Sequence, residues 1–198
     1  MISKLLIHRF MNLRSLLLST LWIVCAASGA ESHLTLPALN GEPHSPLKVN
    51  GKSGAVMVFV SPYCPTANSL MPEVAKIAAE FSDKFFFYLI QSDKNLKKED
   101  ALQHAEMFQV KMPVLLDSEQ KLALRLNAKI TPEAVVTDAA GGVIYQGRIN
   151  DLYLGPTKKQ RQATRHDLRD ALTAIANGKP VPSPQEPAVG CKIGGLGN

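Results

Sequence analysis

Cysteine is scarce in this 198-residue chain, which has only Cys25, Cys64 and Cys191. No two of them stand as Cys-x-x-Cys, so an adjacent dithiol is excluded. His33, His44, His104 and His166 lack paired ligand spacing with any cysteine, which argues against a metal centre. A long hydrophobic run is missing too. The apolar stretch from about residue 16 to 27 is shorter than the roughly 20 residues that span a bilayer. Charge of one sign is also lacking. Residues 1–30 hold Lys4, Arg9 and Arg14 and no acid, so the rest carries 19 basic and 17 acidic residues, a net of +2. Nothing in that balance demands nucleic acid or an anionic membrane. The basic run from Lys158 to Arg169 is interleaved with Asp167 and lacks aromatics, as on a solvated surface.

What residues 1–30 do have is the order of a secretory leader: a charged start, an apolar middle and Ser28-Gly29-Ala30 as a small-residue cleavage site. Val24 before Cys25 is too large for a lipid-attachment signal. Cleavage near Ala30 predicts a periplasmic or secreted protein, with no membrane attachment afterwards. The exported chain then keeps Cys64 and Cys191, and an oxidising compartment allows them one disulfide. An inert staple is therefore the plain alternative to any redox role.

The stretch AVMVFVSPYCPTANSLMPE, residues 55–73, organises the rest. A strand over 54–60 runs through Ser61-Pro62-Tyr63 into Cys64, and Pro65 suits the first position of a helix. Free N–H groups and the dipole at a helix start favour a thiolate, the reactive form of cysteine.

Periodicity assigns the remaining elements. Residues 31–53 read as a small hairpin or extended lead-in, with turns at Asn40-Gly41 and Asn50-Gly51. The helix from Pro65 to about Ser82 turns Leu70, Val74, Ile77, Ala78 and Phe81 inward and should kink at Pro72. Phe85 to Ile90 is a continuous apolar strand, expected to pair with the first in parallel. Lys97 to Gln109 reads as a helix with Leu102, Ala105 and Phe108 inward, and Pro113 to Leu116 as a short strand. Asp117 with Gln120 suggests a capping box for a helix through Leu126. Ala134–Thr137 and Val143–Ile149 form a hairpin about a turn at 138–142. Residues 150–163 look irregular. Thr164 with Asp167 suggests a second capping box, opening a helix with Leu168, Ala171, Leu172 and Ile175 inward and ending at Gly178. This order predicts an α/β fold, a three-layer α/β/α sandwich on a mixed sheet. The division expected is a leader over 1–30, a domain over 31–178 and a proline- and glycine-rich tail over 179–198 that carries Cys191.

Three features resemble the thioredoxin superfamily, specifically its redoxin branch of exported, peroxiredoxin-like (AhpC/TSA) proteins. The pair Tyr63-Cys64 opens a helix, Pro72 lies eight residues beyond the cysteine, and Thr131-Pro132 precedes the terminal hairpin. The inserted α-β-α before Thr131 is redoxin-like as well. Departures are equally plain. Cys64-Pro65-Thr66-Ala67 lacks the second cysteine of the dithiol motif, and Val58 replaces a buried acid. Ser61 fits the peroxiredoxin pattern, but Met57 stands where its proline belongs.

The resemblance implies a thiol oxidoreductase with Cys64 as nucleophile and Cys191, on the tail, as resolving thiol. Pro132 would be a cis-proline presenting Thr131 backbone groups to an extended substrate. Ser61, Tyr63, Pro65, Thr131 and Pro132 are the expected substrate-binding residues, with Arg148 or Arg125 as less favoured aids to a peroxide. Glu133 reads as a solvated acid. Substrates would be peroxides or the thiols and disulfides of periplasmic proteins, with another thiol system as electron donor. No cofactor is needed, because sulfur carries the electrons. Two other readings stay open: a binding module with a permanent Cys64–Cys191 bond, and a copper-handling protein. Copper-binding relatives, however, use two closely spaced cysteines.

Overall fold

A computed structural model describes residues 34–197, so the expected leader and Cys25 lie outside the described residues. Strands β1 (Leu36–Pro37) and β2 (Pro43–His44) form the lead-in hairpin, whose turn carries Gly41 at φ +88°. Then follow β3 (Gly54–Phe59), α1 (Pro65–Phe81), β4 (Phe85–Gln91), α2 (Lys98–Met107), β5 (Val114–Leu116) and α3 (Lys121–Arg125). The second half holds β6 (Ile130–Thr131), β7 (Glu133–Asp138), β8 (Val143–Gly147), β9 (Tyr153–Gly155), β10 (Lys158–Lys159), α4 (Asp167–Ala176) and β11 (Cys191–Lys192). No helix among the described residues is long and apolar enough to cross a membrane.

The central sheet has the order β5-β4-β3-β7-β8, with β3, β4 and β5 parallel and β7 and β8 antiparallel to their neighbours. Both faces are covered, which is why β3 is apolar at nearly every position. Val56 and Val58 face α1 and α4, while Ala55, Met57 and Phe59 pack with α3 residues such as Leu122 and with Leu36 of the lead-in. Leu70, Val74 and Ile77 of α1 are buried as their spacing predicts. Each contributes about 1.5–3 kcal/mol by leaving water. Helix α1 runs as one span through Pro72, which lacks the N–H that would bond the preceding turn.

Several local expectations change. On α2 the inward stripe is Ala101, His104, Ala105 and Phe108, and Leu102 is 40% exposed because it falls off that i, i+3, i+4, i+7 face. Asp117 does cap α3, but without Gln120: its carboxylate accepts from the N–H groups of Leu122 and Ala123, both at 3.0 Å. The Thr164–Asp167 box does not form. His166 is the N-cap, Thr164 donates to Asp151, and Asp167 pairs with Arg148. Residues 150–163 contain the antiparallel ribbon β9–β10.

The tail, to which periodicity assigns no element, is held by main-chain pairing. It runs alongside β8, where Arg148 donates its N–H to the Glu186 carbonyl, and Gln185 exchanges hydrogen bonds with Gln146 N and Ile144 O. It then adds β11 to β6. Covering exposed strand edges is a general device against wrong pairing. Main-chain pairing can hold a segment that has no hydrophobic period of its own.

Candidate active site

The strand-to-helix junction places Cys64 with little freedom. Val60 donates to the Ile90 carbonyl, extending the parallel pairing one residue past β3, and the chain then turns so that Cys64 N–H reaches Ser61 O at 3.1 Å. Cys64 is the N-cap of α1, with extended backbone at φ −98° and ψ 107°, and Pro65 follows at the first helical position. Its sulfur takes the role that a cap oxygen usually fills, accepting from Ala67 N–H at 3.4 Å. The side chain is only 1% exposed. On its other side Sγ lies 2.9 Å from the Thr131 carbonyl, to which the thiol donates.

Thr131 ends β6 and precedes a cis Thr131–Pro132 bond, the form that the resemblance implies. Across from it, β11 runs antiparallel with Cys191 opposite Thr131 and Lys192 opposite Ile130. This register sets the Cys191 thiol in hydrogen-bond contact with Cys64. Both cysteines are free thiols. Gly190 makes the close approach feasible, since a Cβ there would stand 2.0 Å from the Thr131 oxygen.

The two thiols are electrostatically unlike. Burial pushes the Cys64 thiol up, but the Cys191 thiol, Ala67 N–H, the Thr131 side chain and the Cys191 backbone together hold it below the ordinary thiol range. Burial raises Cys191 as well, and there the bond to Cys64 and the charge on that sulfur push it further, to about 11.

Behind the junction lies a support that sequence reading missed. Asn68 on α1 donates from Nδ2 to the Pro62 carbonyl at 3.0 Å and accepts at Oδ1 from His104 Nε2 of α2 at 2.9 Å. Since Oδ1 can only accept, His104 must carry its proton on Nε2. The two residues lie 36 apart in sequence on different helices, so no local pattern joins them. Burial lowers the His104 pKa from its usual 6.5. Its neutral form is thus preferred in the fold, and the stability it contributes is complete above pH 6.5 and lost as pH falls towards the depressed value. The urea midpoint is accordingly expected to drop between pH 7 and pH 5, and His104→Gln should flatten part of that slope. An equal drop in both proteins would show that His104 is not the group responsible.

The other expected site residues divide. Ser61 is buried and its hydroxyl accepts from Tyr63 N–H at 3.3 Å, which shapes the loop. Tyr63 is 58% exposed and its hydroxyl donates to Asp100 of α2 rather than towards the thiol. Glu133 is not a solvated acid but 8% exposed. Its carboxylate takes the N–H groups of Lys129 (2.7 Å) and Ile130 (3.1 Å) and the Gln146 amide (3.0 Å), bracing the chain into β6. Arg148 is paired with Asp167 at 2.8 Å, and Arg125 closes α3. Among the described residues no group of three His, Cys, Asp or Glu is set to hold a metal ion.

The Redoxin family model matches residues 26–172. A search of curated proteins returns no match. Among solved structures, an uncharacterized conserved protein from Geobacillus kaustophilus is 23% identical over 83% of this chain and 89% of its own, with a TM-score of 0.73. A hypothetical protein from Sinorhizobium meliloti is 24% identical over 83% and 92%, with a TM-score of 0.72. A secreted Mycobacterium tuberculosis disulfide oxidoreductase homologous to E. coli DsbE is 19% identical over 74% and 96%, with a TM-score of 0.51. At these identities the likeness is one of fold.

Proposed function

The chain belongs to the Redoxin family, and on that footing we propose that it is a thiol–disulfide oxidoreductase whose redox couple is Cys64 and Cys191. The observation that carries this reading is the placement of two free thiols in hydrogen-bond contact, one of them the N-cap of α1 beside the cis Thr131–Pro132 bond. At pH 7 a thiol titrating at about 11 is ionised to only about one part in 10⁴, so Cys64 attacks first. The Cys64 thiolate displaces one sulfur of a substrate disulfide, and the departing thiolate takes the electron pair. That step removes the negative sulfur beside Cys191 and with it the charge and hydrogen bond that held its proton. Cys191 then ionises, attacks Cys64 Sγ and releases the second substrate thiolate. The substrate disulfide is reduced and the Cys64–Cys191 pair is oxidised. Run backwards, the same steps oxidise a dithiol.

A disulfide suits the site better than a peroxide. Arg148, one of the two arginines considered as aids to a peroxide, is engaged by Asp167. The leader expected over residues 1–30 supports an exported protein, whose partners would be thiol and disulfide proteins of the periplasm or exterior and whose electron donor would be another thiol system.

The test is the fate of the two thiols on titration with a glutathione redox buffer. A cycling couple gives a reversible Cys64–Cys191 bond at a potential above about −300 mV. A bond more reducing than that, or none, would return the protein to the binding-module reading.

A further inference from the structure

The place beside Cys64 is already occupied by the protein's own chain, and the manner of occupation has the form of peptide recognition. Four consecutive tail residues each meet a distinct requirement. Gly190 has no room for a side chain, because a Cβ would lie 2.0 Å from Thr131 O and 3.1 Å from Pro132 Cδ. Cys191 pairs with Thr131 and meets Cys64. Lys192 is exposed. Ile193 is 3% exposed, packed in the core on the α3 side of the sheet, and its N–H reaches Lys129 O at 2.9 Å. Main-chain pairing with pockets for alternate side chains is how a strand edge binds an extended peptide.

Resting on the redox reading above, we infer that residues 190–193 are a built-in substrate mimic, and that the partner is an extended polypeptide with cysteine preceded by glycine and followed two positions on by an aliphatic residue. Tail and partner exchange on the Thr131 edge. Such an exchange is required for any macromolecular disulfide, since Cys64 is 1% exposed with the tail in place. The ladder of β11 is two residues long, so opening breaks few main-chain pairs and costs chiefly the burial of Ile193 and the hydrogen bonds of Gly194. Once the partner strand pairs with Thr131, the Cys64 thiolate, still held by Ala67 N–H although the Cys191 thiol has left with the tail, bonds to the partner's cysteine sulfur, and the other half of the partner disulfide leaves as a thiolate. Return of the tail brings Cys191 onto Cys64 Sγ. The Cys64–Cys191 bond forms, the mixed disulfide breaks, and the partner strand leaves as a thiolate that takes a proton from water. Product release and re-docking are then one event.

The experiment uses the unaltered reduced protein and a synthetic peptide spanning residues 187–197, its cysteine capped as a disulfide with thionitrobenzoate, whose release is read by absorbance. Two further peptides carry Gly190→Val or Ile193→Asp. The native pattern is expected to react about tenfold or more faster than either, the size set by burying one aliphatic side chain. An Ile193→Asp protein, whose own tail docks less well, should react faster with the native peptide than the unaltered protein does. Equal rates for the three peptides on the unaltered protein would overturn the inference, whatever the protein variant does. The small disulfide of thionitrobenzoate alone is the control. If it too fails to oxidise the Cys64–Cys191 pair, the redox reading itself has failed. If it oxidises the pair while the peptides are not distinguished, only the mimic is refuted.

Discussion

A Cys191→Ala protein given a small disulfide is expected to complete one half-reaction and stop, with Cys64 held as a mixed disulfide. Two physical effects combine. Resolution has no second sulfur, so turnover falls to a single stoichiometric event. The thiolate is also less favoured, because the Cys191 thiol leads the influences that offset burial at Cys64. Its loss leaves Ala67 N–H, the Thr131 side chain and the backbone of residue 191 to oppose desolvation, so the Cys64 pKa rises. The rate of alkylation of Cys64 against pH should therefore have its midpoint at higher pH in the variant, and the rate at pH 7 should fall. Mass spectrometry reads the trapped adduct and an iodoacetamide pH series reads the shift. Continued turnover by Cys191→Ala would mean that an external thiol resolves Cys64, and the tail would lose its assigned part in the cycle. The companion Cys64→Ser protein should be inert, since burial keeps Cys191 protonated even without its partner.

The largest effect on stability is expected at Asp117, far in sequence from either cysteine. Its carboxylate is buried and accepts three hydrogen bonds: from Leu122 N and Ala123 N at 3.0 Å and from Ser92 Oγ at 2.8 Å. Asp117→Ala leaves the first N–H groups of α3 and a buried hydroxyl without acceptors. An unsatisfied buried donor costs about 1–3 kcal/mol, and loss of a cap typically about 1. These are not additive, and about 3 kcal/mol is the expected total, a fall in Tm of about 6–12 °C for a domain of this size. Asp117→Asn retains one acceptor oxygen and should fall between. A melt within about 2 °C of the parent would show that water replaces the carboxylate. The same turn also reaches the tail, since Gln120 donates to the carbonyls of Ser92 and Gly194 at 2.7 and 2.8 Å. Loosening it should increase the accessibility of Cys191 in the folded state.

Much of the scaffold was legible because strong signals agree. The apolar runs at 54–60 and 85–90 had to be doubly covered strands, and the spacing of Leu70, Val74 and Ile77 had to be one helical face. Cys64 before Pro65 identified a helix mouth for the same local reason. The failures came where two candidate partners were both reasonable. Asp117 and Asp167 each sat at capping distance from a residue that prefers another bond, and helical phase alone cannot say whether Leu102 or His104 faces inward when both are near the edge of the stripe. Glu133 read as solvated because charge predicts exposure, but it is held by backbone N–H groups that no side-chain pattern reveals.

What the sequence by itself determined is therefore the chemistry on offer: two thiols beyond the expected leader, one at a helix start, on an α/β scaffold without an adjacent resolving cysteine. Those are properties of residue type and local spacing. What only the tertiary structure decided is how the two thiols differ. The tail has no hydrophobic period, so its place depends on main-chain pairing with Thr131, on the missing Cβ of Gly190 and on Ile193 entering the core. Contacts across such long separations cannot be read along the chain. They put Cys191 against Cys64, depress one thiol and raise the other, and close the site with the protein's own strand.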